Sequence, residues 1–162
     1  MPSELAKLRP TMLEWYIQRI ADAKHTKAIG WLGERIVMEL IPRDRFIVYQ
    51  PKHRKDGDLH ITDRRTGVLA RVEIKFARRN SRGKFEFRLR KHDKHGDTDI
   101  SHADFVIFVC FWQSLFTFYF VPVKQLPGNS KTIPFDDRNS EMRSYRLPSL
   151  SRLELPMGVH HA

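Results

Sequence analysis

Residues 72–79 read VEIKFARR, with a glutamate and a lysine two positions apart in a run otherwise suited to a buried strand. Side chains of a strand alternate between its faces, so residues two apart share one. Across 68–76 the even positions are Val68, Ala70, Val72, Ile74 and Phe76, all apolar, while the odd positions include Arg71, Glu73 and Lys75. One face must pack on a core, and Glu73 and Lys75 project together from the other. Just upstream, DLHIT (58–62) alternates in the same way: Leu59 and Ile61 share one face, Asp58, His60 and Thr62 the other. Between the two runs lies DRRTG (63–67), whose Thr66 and Gly67 have the chemistry of a tight turn. A hairpin closed there brings Asp58 and Glu73 onto one surface.

Two carboxylates pressed together repel, and one of them takes up a proton unless a cation intervenes. Magnesium accepts oxygen ligands, commonly one or two carboxylates with waters and phosphate oxygens. A bound ion of this kind activates water and stabilises charge on a phosphate under attack, and a nearby ammonium such as Lys75 adds to that stabilisation. The same residues also suit an ordinary solvent-facing strand, so the triplet gains weight only from its surroundings. One of these is Glu34, which lies on a helical wheel between Gly30, Val37, Met38 and Ile41. A carboxylate beside an apolar arc needs compensation. It either reaches water or a basic partner, or it serves the metal site.

Charge is the second. The 162 residues carry 29 Lys/Arg against 19 Asp/Glu, for a net charge of +10 and a pI near 10. Six of those net charges fall between Arg78 and Lys94, where Arg78, Arg79, Arg82, Lys84, Arg88, Arg90, Lys91 and Lys94 face only Glu86 and Asp93. Lys52, Arg54 and Lys55 precede Asp58. Basic clusters on both sides of a carboxylate pair suit a nucleic-acid partner, whose phosphates they would seat. A solvated basic loop is the plain alternative.

The rest of the chain supplies a scaffold. Helices are expected over 3–24, with Ser3 as cap and Pro10 able to split it in two, and over 27–41, ending at Pro42. Strands are expected at 45–50, 58–62 and 68–76, with KFEFRLR (84–90) a further one. DFVIFVCFWQSLFTFYFVPV (104–123) is 20 residues long, but its β-branched and aromatic content and the Gln113–Ser114 interruption predict a hairpin rather than a membrane helix. Its aromatic residues, like Trp31, are expected in the core. The single cysteine, Cys110, rules out an intrachain disulfide and a thiolate zinc site and suits a reducing, cytoplasmic setting; no signal-peptide pattern opens the chain. His92, His95, Asp97 and Asp99 read as a solvated loop rather than a metal site. After Pro127, prolines and serines predict surface loops and a frayed end. The expected division is 1–126 as the working domain and 127–162 as an extension packed on it or trailing from it.

GDLHI with VEIK resembles the signature of the PD-(D/E)XK nuclease superfamily, with Asp58 as its aspartate and Glu73 and Lys75 as its E-x-K. Gly57 stands in place of the proline. The segment KAIGWLGERIVMEL (27–40) resembles the first helix of archaeal-type Holliday-junction resolvases at Gly30, Glu34 and Arg35. FYFVPVKQL (118–126) is similar to their late strand, so the likeness spans about 27–126. The resemblance implies an α/β, restriction-endonuclease-like core with a central mixed sheet flanked by helices. It also implies Mg2+, with Mn2+ able to substitute, held by Glu34, Asp58, Glu73 and the Ile74 carbonyl. The basic run after Lys75 departs from the resolvase pattern, which has a helix there. The expected activity is DNA endonuclease, acting on branched DNA as a homodimer, because two symmetric cuts need two sites. Alternatives are a sequence-specific homing or restriction-type endonuclease and a non-cleaving nucleic-acid-binding module.

Overall fold

The computed structural model describes residues 10–24, 26–53, 57–93, 96–100, 102–134 and 141–158. Helix α1 spans Pro10–Asp22 and α2 Thr26–Leu40. Pro10 is the first described residue of α1, and a proline in the first turn has no helical N–H bond to lose; the expected helix over 3–9, with Ser3 as cap, lies outside the described residues. On α2 the buried positions Ile29, Leu32, Ile36, Val37 and Leu40 follow the helical repeat. Trp31, expected in the core, falls off that stripe, is 49% exposed, and has the Arg35 guanidinium over its ring at 5.7 Å.

The strands, in chain order, begin with β1 (Phe46–Tyr49), β2 (Leu59–Asp63), β3 (Leu69–Arg78), β4 (Lys84–Arg88) and β5 (Arg90–Asp93). They continue with β6 (Gly96–Asp99), β7 (Phe105–Trp112), β8 (Leu115–Pro122), β9 (Ser130–Pro134) and β10 (Arg146–Leu147). Six of them form the central sheet in the order β1-β2-β3-β7-β8-β10. The first three form an antiparallel meander, β3 runs parallel to β7, and β7 returns antiparallel as β8, so the sheet is mixed. The predicted turns are present: Gly67 N–H donates to the Asp63 carbonyl at 2.8 Å, and Gln113 and Ser114 make the two-residue link between β7 and β8. No described helix is long and apolar enough to cross a membrane.

The sheet separates two cores. Ala70, Val72 and Ile74 of β3 and Phe105, Ile107 and Val109 of β7 face α1 and α2. On the opposite side, Ala77, Val106, Phe108 and Cys110 meet Phe85, Phe87 and Ile133. The last three belong to a separate antiparallel ribbon of β4 and β9. A second small hairpin, β5 with β6, precedes β7. The stretch after Pro127, expected as surface loops, instead provides β9, β10 and the buried Ile133, Met142, Leu150, Leu153 and Leu155.

Candidate active site

Strand register brings the carboxylates together. Leu59 pairs with Val72, so Asp58, one residue ahead of β2, comes beside Glu73. Its N–H donates to the Val72 carbonyl at 3.1 Å, and its Oδ2 accepts from the Ile74 N–H at 2.7 Å. Because β2 begins only at Leu59 while β3 continues to Arg78, the Ile74 amide has no β2 backbone opposite it, and the Asp58 carboxylate takes that place. A strand residue directs its N–H and C=O to the same side, so the Ile74 carbonyl also points toward Asp58. Gly57 has φ +93°, and a Cβ there would lie 3.4 Å from the Val72 oxygen. Proline, with φ fixed near −65°, is unable to adopt that backbone, which accounts for glycine at the position where the signature has proline.

Glu73 and Lys75 share the β3 face opposite α2, as the alternation predicts. Lys75 Nζ lies 3.1 Å from Glu73 Oε1, and His102 Nε2 lies 3.4 Å from Glu73 Oε2. All three side chains are largely screened from solvent, with 16%, 15% and 26% exposure for Lys75, Glu73 and His102. Nothing in the sequence singles out His102. It sits in the loop before β7, and that loop is tied down by Asp104, whose Oδ2 accepts from the Arg71 N–H at 2.7 Å and whose N–H donates to the Arg71 carbonyl at 2.8 Å. Only the parallel register of β3 with β7, set by a long crossover, carries the loop over Glu73.

Asp58 is short of positive charge. Its pKa is raised to about 7, first by burial and then by the neighbouring Glu73 and Glu34; the Ile74 hydrogen bond and Lys75 offset part of the rise. Glu34 therefore lies within electrostatic reach of Asp58, from α2. Gly33 makes that approach possible: a Cβ there would lie 2.7 Å from Phe76 Cβ, so only glycine lets α2 settle this closely on β3.

Among the described residues no three His, Cys, Asp or Glu side chains already form a metal cage. What the site offers is two adjacent carboxylates, a backbone carbonyl and a third carboxylate nearby. This all-oxygen set, whose mutual repulsion favours a proton on Asp58, fits a hard divalent ion. Asp58, Glu73 and the Ile74 carbonyl would hold it, with Glu34 acting directly or through water.

The basic residues divide into groups. Lys52, Arg82, Lys84 and Arg88 are exposed. Arg78 Nη1 donates to the Ile20 carbonyl at 3.3 Å, and the Arg79 guanidinium stacks over Trp112 at 4.6 Å, so both also tie elements together. Arg54 and Lys55 lie outside the described residues, as do the side chains of Arg90, Lys91, His92, Asp97 and Asp99 and the whole of Lys94 and His95. His60 stays on the same sheet face as Asp58 and packs against Tyr49, ring centroids 5.8 Å apart.

No family model matches this chain, and no curated protein does. Among solved structures it is similar to a bacterial homing endonuclease, I-Ssp6803I, with a TM-score of 0.59 and 19% identity over 75% of this chain and 88% of that one. The likeness shows that the chain shares the fold of that endonuclease.

Proposed function

We propose that the protein is a divalent-metal-dependent DNA endonuclease whose centre is Asp58, Glu73 and Lys75, with Ile74 and Glu34 in support. The observation carrying this reading is the convergence of the Asp58 and Glu73 carboxylates, beside an ammonium, where β3 runs past the start of β2. A binding module gains nothing from paired carboxylates near phosphate, because they repel it. When bound, Mg2+ or Mn2+ supplies Lewis acidity toward the phosphate and lowers the pKa of water. The chain's residues do the rest. Glu73 fixes Lys75 through their ion pair, and Lys75 Nζ donates to the attacking water or to a non-bridging phosphate oxygen, where negative charge builds. The Ile74 amide holds Asp58, so that carboxylate keeps its aim, and the His102 ring stands beside the far oxygen of Glu73.

Sequence-specific cutting of duplex DNA is the favoured subtype, supported by the likeness to a homing endonuclease and by a β-ribbon where resolvases have a helix. Cutting of four-way junctions is the second reading, favoured by Gly30, Glu34 and Arg35 on α2. Either way, scission of both strands calls for a homodimer. The test is incubation with Mg2+ and a panel of four-way junction, flap, long duplex, single strand and RNA. Discrete fragments from long duplex support the favoured subtype, junction-restricted cutting the second, and no cutting of any substrate rejects the nuclease.

A further inference from the structure

The β4–β9 ribbon has one face committed to the core and one turned to solvent. Phe85, Phe87 and Ile133 point inward. Strand alternation turns Lys84, Glu86 and Arg88 of β4 outward, with Ser130 and Thr132 of β9 beside them, and all five are exposed. Lys131, on the inward-facing set, is occupied by an ion pair with Glu141. Register then orders the outer face: Glu86 sits directly opposite Thr132 at the ribbon's centre, with Lys84 at one end and Arg88, opposite Ser130, at the other.

The site carboxylates and this ribbon lie on the same side of the sheet, because Glu73, Lys75 and Ala77 share a face and Ala77 packs with Phe85 and Phe87. Four residues of β3 separate Glu73 from Ala77, about 13 Å at strand rise. A substrate phosphate at the carboxylates would thus bring base pairs a few steps away along the duplex to the ribbon.

We propose that the outer face of the β4–β9 ribbon lies in the major groove of double-stranded DNA and reads its bases, an inference that rests on the endonuclease reading for its substrate. The groove, about 12 Å wide, admits a two-stranded ribbon. Lys84 and Arg88, with long side chains, reach sideways to the phosphates that flank the groove, while the centre presents the groups that distinguish base edges: a carboxylate, which accepts from the cytosine amino group, and a threonine, which donates, accepts or meets the thymine methyl. Glu86 is the telling residue. A face built only to hold phosphate would gain by replacing it, since it cancels one of the flanking cations; placed between Lys84 and Arg88, it faces bases instead. Five residues of ribbon span about 14 Å, or roughly four base pairs.

The test uses the full chain with a pool of random duplexes, in Ca2+ to retain DNA without cutting, and sequences the retained fraction. The wild type should enrich a block of about four consecutive positions. Glu86→Gln should relax the preference for a cytosine-bearing pair at one of them by roughly tenfold, and Thr132→Ala should alter the adjacent position. The double change Lys84→Ala with Arg88→Ala should weaken retention of all sequences alike and reduce the salt dependence by about one ion per cation. Circular dichroism verifies that these surface variants fold. Unchanged base preference in both Glu86→Gln and Thr132→Ala overturns the proposal. So does a changed oligomeric state in the Lys84/Arg88 variant with DNA retention intact, because the face would then join protein copies. Mg2+-dependent cutting of plasmid by the wild type is scored separately. If cutting is absent while the Glu86 and Thr132 effects hold, the endonuclease reading fails and the groove-reading ribbon stands. Cutting with unmoved preferences overturns the ribbon and leaves the endonuclease standing.

Discussion

Asp58 concentrates the chemistry in one ionisation. Its ordinary pKa of 3.8 is raised to about 7 in the folded, metal-free protein, chiefly by burial and next by Glu73. Between those values the folded state holds a proton that the unfolded state has released, so stability falls as pH rises from about 4 to 7 and levels off above. A pKa difference of one corresponds to about 1.4 kcal/mol, so the full effect is on the order of 4 kcal/mol, and coupling to Glu73 spreads it over the pair. Asp58→Asn should therefore raise metal-free stability by roughly 2 kcal/mol more at pH 8 than at pH 5, as read by urea unfolding. An equal effect at both pH values contradicts the assignment. Below pH 7 a cation must displace that proton, so Mg2+ affinity measured by calorimetry should fall as the pH drops from 8 to 6. His102→Ala should remove the ring beside Glu73 and weaken Mn2+ binding by about tenfold, with His102→Gln recovering most of it; equal affinity in all three proteins would remove His102 from the site. That Asp58, Glu73 and Lys75 share one sheet face is legible in the sequence because period-two alternation assigns strand faces without tertiary information. His102 is not, because its position depends on which strand β3 meets after a crossover.

At the level of elements, local pattern is legible and distant pairing is not. The β7–β8 hairpin shows itself in two apolar runs around Gln113–Ser114, and both residues do adopt positive φ, 47° and 62°. Neither is glycine or asparagine, so the loop carries strain of about 1 kcal/mol per residue. Changing Gln113 to Asn and Ser114 to Gly together should stabilise the protein by about 1 kcal/mol, read as a higher urea midpoint. A lower midpoint would mean these side chains hold the turn. Strand β9, by contrast, pairs with β4 from far along the chain and is flanked by prolines and serines that mimic a loop, so no local signal reveals it. Trp31 is exposed although its aromatic ring predicts burial, because its place on the α2 wheel, off the apolar stripe, outweighs its side-chain type. Gly33 carries the link from element to site: Gly33→Ala should lift α2 from Phe76, costing about 1–3 kcal/mol despite alanine's better helix propensity, and draw Glu34 away from Asp58. A melting temperature and cleavage rate both equal to wild type would refute the close approach.

For the whole molecule, the mixed sheet acts as a partition. One side is sealed by α1 and α2 and gives stability; the other presents the carboxylates, Lys75 and the ribbon. The excess of +10 needs no single binding patch, and two of the arginines expected to meet DNA, Arg78 and Arg79, also hold elements together. Their joint change to alanine should thus lower thermal stability as well as DNA affinity, while the exposed Lys84 and Arg88 affect affinity alone. The claim on which the rest depends is that Glu73, beside Asp58, serves a metal-dependent phosphodiester cleavage. It is tested most directly by comparing wild type with Glu73→Gln on supercoiled plasmid, with and without Mg2+, alongside duplex binding. The prediction is cutting by the wild type only when Mg2+ is present, and a loss of at least about a thousandfold in Glu73→Gln with binding retained or strengthened. Cutting by Glu73→Gln at the wild-type rate, or wild-type cutting indifferent to Mg2+, would contradict it.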